Sequence, residues 1–220
     1  MHWRFIKLTS GTLTNVSGVG DVTIAFSAWS NESLNPFWNN SGSRLDFQAW
    51  MTQQGYSGNI DFVLILLGIN GLYSTTELSQ SEIDTIIDQA KDLIDGVLNA
   101  TYGYPSAEIL LAMPPISANT WDGFGVNYGS NNAMRNYFLN MRLFWETLFT
   151  EFDDGGYHAN VYLSSAGLWV DRDYGYPKSN EDISDRESTQ YSAHTNHVHP
   201  TTSGYYQIAD AFYSHIRGLL

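Results

Sequence analysis

At 220 residues with 43% hydrophobic side chains, the chain is long enough to close one sizeable core, and a single domain is expected. Ten Lys and Arg against 23 Asp and Glu give a formal charge of −13, whose long-range field repels polyanions and disfavours nucleic acid and anionic membrane surfaces as partners. The lack of any cysteine excludes disulfides and thiolate metal sites.

A neutral or weakly charged substrate suits such a surface better. No stretch of about 18 apolar residues is present, and Met1-His2-Trp3-Arg4 leads into mixed polar sequence without the apolar core of a signal peptide. A soluble chain without a membrane partner is expected. Its compartment stays open, and an extracellular or periplasmic setting would suit a longer form.

Residues 4–28 read as β. Val22, Ile24 and Phe26 alternate with Thr23, Ala25 and Ser27 after a turn at Ser17-Gly18-Val19-Gly20-Asp21. Ser43 to Gln54 carries Leu45, Phe47, Trp50 and Met51 in an imperfect helical pattern that stops at Gly55, a suitable residue to end a helix. Phe62 to Leu67 is an unbroken apolar run between Asp61 and Gly68, the pattern of a central strand covered on both faces. Ser79-Gln80-Ser81-Glu82 has capping-box form, and Ile83, Ile86, Ile87, Ala90, Leu93, Ile94, Val97 and Leu98 follow at helical spacing.

Ile109 to Met113 repeats the buried-strand pattern and is stopped by Pro114-Pro115, which have no amide hydrogen to continue a ladder. Met134, Phe138, Met141, Trp145, Leu148 and Phe152 mark a second long helix, and Asn160 to Leu163 a further strand. Residues 171–198 form a long connection without periodicity, ahead of a C-terminal amphipathic helix. This alternation predicts a doubly wound α/β domain with a mostly parallel sheet and a β-rich N-terminal segment.

Two distant segments carry the chemistry. Gly68-Ile69-Asn70 follows directly on the Phe62–Leu67 strand, and ligands of open parallel sheets bind beyond the carboxyl ends of strands. Asn196-His197-Val198-His199-Pro200 precedes the terminal helix, so His199 stands at a loop-to-helix junction where an acid–base catalyst can face a cleft.

Together these segments resemble the SGNH (GDSL-type) hydrolases, a family of esterases and deacetylases with a Gly-x-Asn-Asp motif after a buried strand and an Asp-x-x-His motif before the last helix. The resemblance covers residues 35–220, with 1–34 as a β-rich lead-in, and implies a flavodoxin-like sheet. It implies that Asn70 donates to the oxyanion, that Gly68 permits close backbone approach, and that His199 is the general base. Asn196 stands at the family's Asp position and can orient the imidazole, but it cannot stabilise imidazolium as a carboxylate does. Asp171, Asp173 or Asp185 from the long connection could substitute. Gly71 stands where the family has the Asp of Gly-x-Asn-Asp, with no proposed catalytic atom lost.

The nucleophile is not identified, because no Gly-Asp-Ser follows an apolar strand. Gly20-Asp21-Val22 ends in Val, and Ser10, in Phe5-Ile6-Lys7-Leu8-Thr9-Ser10-Gly11, reads better as a turn residue. The expectation is that Met1 lies inside a hydrolase domain whose first strand, nucleophile and oxyanion glycine are absent. The strand at Phe62 should then have an unfilled neighbour, one supplied by residues 4–28, or one from a second molecule through the open edge.

The activity implied is hydrolysis of a small ester or an acylated carbohydrate, without a cofactor. The alternatives are a non-catalytic glycan-binding domain and a structural domain of the same fold. Fourteen Tyr and 7 Trp, many in loops such as Asn35–Asn39 and Asp171–Pro177, suit sugar faces as well as they suit core anchors. His194, His197 and His199 are clustered in sequence, but their spacing is not specific for a metal and none is expected.

Overall fold

The computed structural model describes residues 37–120, 131–153 and 156–220, together with the backbone alone of Ile6–Lys7, Val22–Thr23, Ile69, Asn70 and 131–133. The chain forms two compact units that alternate along the sequence. The first comprises Met1–Leu67, Thr85–Leu111 and Leu148–Leu163; the second comprises Gly68–Asp84, Ala112–Thr147 and Ser164–Leu220.

In the first unit, β1 (Ile6–Lys7) pairs in parallel with β2 (Val22–Thr23). These are the described part of the expected β-rich segment; Ile24, Phe26 and Ser10 lie outside the described residues. A short antiparallel ladder of β3 (Trp38–Asn39) and β4 (Arg44–Leu45) leads into α1 (Phe47–Gln53). That helix is shorter than the expected Ser43–Gln54. The Asp46 side chain accepts from the Ala49 amide at 3.0 Å and starts the helix there, while Arg44 and Leu45 are held in the ladder. The stop is where the sequence puts it, with Gly55 at φ 78°. Phe37 anchors this corner, its ring centroid 4.1 Å from Phe47 and 4.9 Å from Trp50.

The buried apolar runs form a three-stranded sheet in the order β5 (Phe62–Ile65), β6 (Glu108–Ala112), β7 (Val161–Ser164). β5 and β6 are parallel, with Phe62 opposite Glu108 and Ile65 opposite Leu111. β1 also lies beside β5, its Cα atoms within 8 Å, so β5 has a neighbour besides β6 from the N-terminal residues. β6 ends just before Met113-Pro114-Pro115, as proline chemistry requires.

Between β5 and β6 runs α2 (Gln80–Val97), with Ile83, Ile87, Leu93, Ile94 and Val97 fully buried along one stripe. Its start is the expected Ser79–Glu82 device. The Glu82 carboxylate accepts from the Ser79 amide at 2.8 Å and from the Ser79 hydroxyl at 2.7 Å. Between β6 and β7 runs α3 (Asn131–Phe152), which buries Met134, Tyr137, Met141, Phe144, Leu148 and Phe152. Phe138 and Trp145, expected on that face, are only half-buried, because the stripe follows Tyr137 and Phe144 instead.

The second unit holds the largest departure from the sequence reading. Residues 171–198 are not an irregular connection: β8 (Lys178–Ser184) and β9 (Glu187–His194) form an antiparallel hairpin with an irregularity between Asp182 and Ser184. Almost every hairpin residue is exposed, so neither face carries the apolar alternation that announces a strand. The chain closes with α4 (Thr202–Leu219), buried through Gly204, Ile208, Ala211, Phe212 and Ile216. Among the described residues no helix is long and apolar enough to cross a membrane.

Candidate functional site

Both chemically suggestive segments belong to the second unit. After β5 the chain turns at Gly68, whose φ of 99° lies in the left-handed region that a side chain strains to reach. A Cβ there would stand 3.0 Å from the Phe144 ring. Ile69–Leu72 then form one 3-10 turn, with the Gly71 amide donating to the Gly68 carbonyl at 3.1 Å. Asn70 is therefore in a turn directly beyond a parallel strand, where the sequence puts it; its side chain lies outside the described residues.

The loop following that turn is clamped from α3. Asn136 donates to the Thr75 carbonyl at 2.6 Å, and the Tyr73 and Tyr137 rings stack at 4.4 Å. The Tyr137 hydroxyl reaches the Pro115 carbonyl at 3.1 Å.

The His199 turn is a self-contained construction. Asn196 Oδ1 accepts from the Val198 and His199 amides, both at 2.9 Å, which folds residues 196–199 into a tight Asx-type turn. The Asn196 Nδ2 group then donates to His199 Nδ1 at 3.1 Å. His199 is solvent-exposed, and its Nε2 makes no hydrogen bond to any described residue. Directly after it, the Thr201 hydroxyl accepts from the Gly204 amide at 3.3 Å and caps α4. Gly204 is needed for contact, since a Cβ there would lie 2.5 Å from the Gly175 carbonyl oxygen.

This turn is fastened to the loop that leaves the carboxyl end of β6. The Ala118 amide donates to the His197 carbonyl at 3.2 Å, and Arg172 Nε donates to the Ser117 carbonyl at 2.9 Å. The buried Tyr176 hydroxyl donates to the Ile116 carbonyl, and burial pushes its ionisation far upward, so it acts as a fixed donor.

The three histidines that cluster in sequence separate in space by role. His194 and His197 are buried, 1% and 0% exposed, whereas His199 faces solvent. His194 Nε2 donates to the Asp173 carbonyl at 2.9 Å, leaving Nδ1 to accept from the Thr120 hydroxyl at 2.9 Å. His197 Nε2 donates to the Thr120 carbonyl. Among the described residues, no group of three or more His, Cys, Asp or Glu is placed to hold a metal ion.

The substitute carboxylates are engaged elsewhere. Asp171 accepts from the Asp173 amide at 2.8 Å and the Tyr174 amide at 2.9 Å, which hold its carboxyl below the usual aspartate value. Asp173 pairs with Lys178, and Asp185 is exposed in the hairpin turn. None is hydrogen-bonded to His199, whose only such partner among the described residues is Asn196. Thr120 and Arg172 make contacts around these segments that the sequence did not reveal. Their partners lie 54–77 residues away, beyond any local pattern.

No protein-family model matches the chain, and no curated protein resembles it at a significant level. Among solved structures, the native aryl esterase of M. smegmatis is similar at 14% identity and a TM-score of 0.50, over 92% of this chain and 78% of that one. Est24, a carbohydrate acetylesterase from Sinorhizobium meliloti, is matched at 15% identity and a TM-score of 0.48, with the same coverage. Likeness at this level speaks to architecture alone, and the fold is a mixed α/β arrangement similar to that of the M. smegmatis aryl esterase.

Proposed function

We propose that this chain is an ester hydrolase domain of SGNH type, acting on small esters or acylated carbohydrates. In this reading His199 is the acid–base residue, Asn196 orients it, and Asn70 with Gly68 forms the oxyanion side. The observation that carries it is the exposed His199 imidazole, held by its own turn at the root of the last helix. The turn after β5 belongs to the same compact unit.

The chemistry would be acyl transfer. An imidazole takes the proton of an attacking hydroxyl and returns it to the leaving alcohol, a contribution worth about 10²–10⁴-fold in rate. An amide donor at the developing oxyanion adds roughly 3–4 kcal/mol. The attacking hydroxyl is the unassigned part, since no described serine is hydrogen-bonded to His199.

Hydrolysis of p-nitrophenyl acetate and of a peracetylated sugar tests the reading. Turnover should fall by at least about 10²-fold in His199→Ala. A fluorophosphonate label, mapped by peptide mass spectrometry, would identify the serine. Turnover that persists in the variant excludes the role given to His199.

A second reading, a non-catalytic glycan-binding domain, is favoured by the exposed rings of Trp169 and Tyr174, 62% and 76% accessible. It predicts no turnover above background, no serine labelling, and calorimetric binding of the sugar.

A further inference from the structure

The amide of Asn196 cannot be turned over without loss. Its Oδ1 accepts two backbone N–H groups, from Val198 and His199, both at 2.9 Å. Exchanging oxygen and nitrogen would forfeit both bonds and set an NH2 group against two donors. The NH2 group therefore faces the imidazole, 3.1 Å from Nδ1. A donor in that position requires a lone pair on Nδ1, so the single ring proton of neutral His199 belongs on Nε2.

That arrangement has the opposite sense to the one a general base needs. With a carboxylate at residue 196, one oxygen would still accept from the two amides and the other would accept a hydrogen bond from Nδ1–H, leaving the Nε2 lone pair free. Here the inferred proton falls on Nε2, and His199 is exposed, with Nε2 hydrogen-bonded to no described residue.

We propose that Asn196 fixes His199 as an Nε2–H hydrogen-bond donor, so that the turn recognises an oxygen acceptor, the carbonyl of an ester or acetyl group, instead of removing a proton. Residue 196 is then the positioning residue that holds hydrolysis back. The inference rests on the reading of the His199 turn as part of an ester-hydrolase site, and it narrows that reading: with Asn at 196 the imidazole donates, and its full acid–base role is expressed only with a carboxylate there.

Long-range proton–nitrogen correlation spectra of the ¹⁵N-labelled full chain test it, recorded at a pH where histidine rings are neutral. The His199 signals are assigned by their loss in His199→Gln. In the parent, Nε2 is expected to carry the proton and Nδ1 to be bare. In Asn196→Asp, which can keep both backbone bonds, the pattern should reverse. A parent ring protonated on Nδ1 overturns the proposal, as does a folded Asn196→Asp protein with an unchanged pattern.

Hydrolysis of p-nitrophenyl acetate by the same two proteins separates this proposal from the reading beneath it. A rise of about tenfold or more on Asn196→Asp, together with the reversed tautomer, supports both; triad carboxylate-to-amide exchange can cost about 10⁴ in kcat. Reversal with no rise supports the tautomer assignment and counts against an ester hydrolase.

Discussion

Asn140, only 1% exposed on α3, donates its side-chain amide to the Leu72 carbonyl at 3.0 Å. The same side chain accepts from the Leu78 amide at 2.8 Å, so a single residue satisfies both ends of the loop that follows the Gly68–Leu72 turn. Asn140→Leu keeps the approximate volume and strands the buried Leu72 carbonyl and the half-buried Leu78 amide, a fully buried group costing about 1–3 kcal/mol when left unpaired and a half-buried one less. A loss of roughly 2–4 kcal/mol in urea unfolding is expected, with α3 intact by circular dichroism. A change below about 0.5 kcal/mol, the range of ordinary surface substitutions, would show that the loop does not depend on this clamp.

Gly68 gives a second, independent test of the same turn. Its φ of 99° is costly for any side chain, and the Phe144 ring waits 3.0 Å from where a Cβ would stand. Gly68→Ala should cost about 1–3 kcal/mol from the backbone conformation and the displaced ring together. Adding Phe144→Leu should not recover the backbone part. Complete recovery in the double variant would assign the whole penalty to the ring contact.

Much of this architecture is legible in the sequence because its signals are local. The apolar runs at Phe62 and Ile109, the stop at Pro114-Pro115, the Ser79–Glu82 cap and the α2 stripe each depend on neighbours within a few residues. The hairpin was hidden for the converse reason. Its strands run almost entirely through solvent, and Glu181 opposite Tyr191 or Asn180 opposite Ser192 advertises no buried face. The site divides in the same way. Asn196, Val198 and His199 lie within one turn and can be read together, but Thr120 with His194 and Arg172 with Ser117 meet only once the fold exists. Phe37 and Tyr176, from loops whose rings suited sugar faces, are core anchors instead, each 2% exposed.

The exposed hairpin should also be far less protected than the β5–β6 ladder. A two-stranded ribbon is marginal in water without an apolar face to pack, and β8 and β9 are buried only at Ala193 and His194. Hydrogen exchange followed by mass spectrometry is expected to show amides 179–192 exchanging far faster than those of β5 and β6. Protection should begin at Ala193, where Ser179 is its partner. Protection of the ribbon equal to that of β6 would mean that a partner covers it in solution.

Asp171 provides a pH-dependent test of the segment that precedes the hairpin. Its carboxylate is held below the ordinary value of 3.8 chiefly by the Tyr174 amide, then by the Asp173 amide, with Lys178 adding a smaller attraction. Those bonds exist only in the folded chain, so on acidification the unfolded chain takes up its proton first. The stabilisation is therefore complete above the unfolded value, shrinks as the pH falls toward the depressed folded value, and is gone below it. Asp171→Asn keeps an acceptor oxygen for the two amides and removes only the charge. The difference in melting temperature between parent and Asp171→Asn should hold steady from about pH 7 to about pH 5, then close as the solution is taken below about pH 4. A difference that stayed constant through the acid range would show that the amides bind the neutral group as well as the charged one, and that the turn owes nothing to the carboxylate's charge.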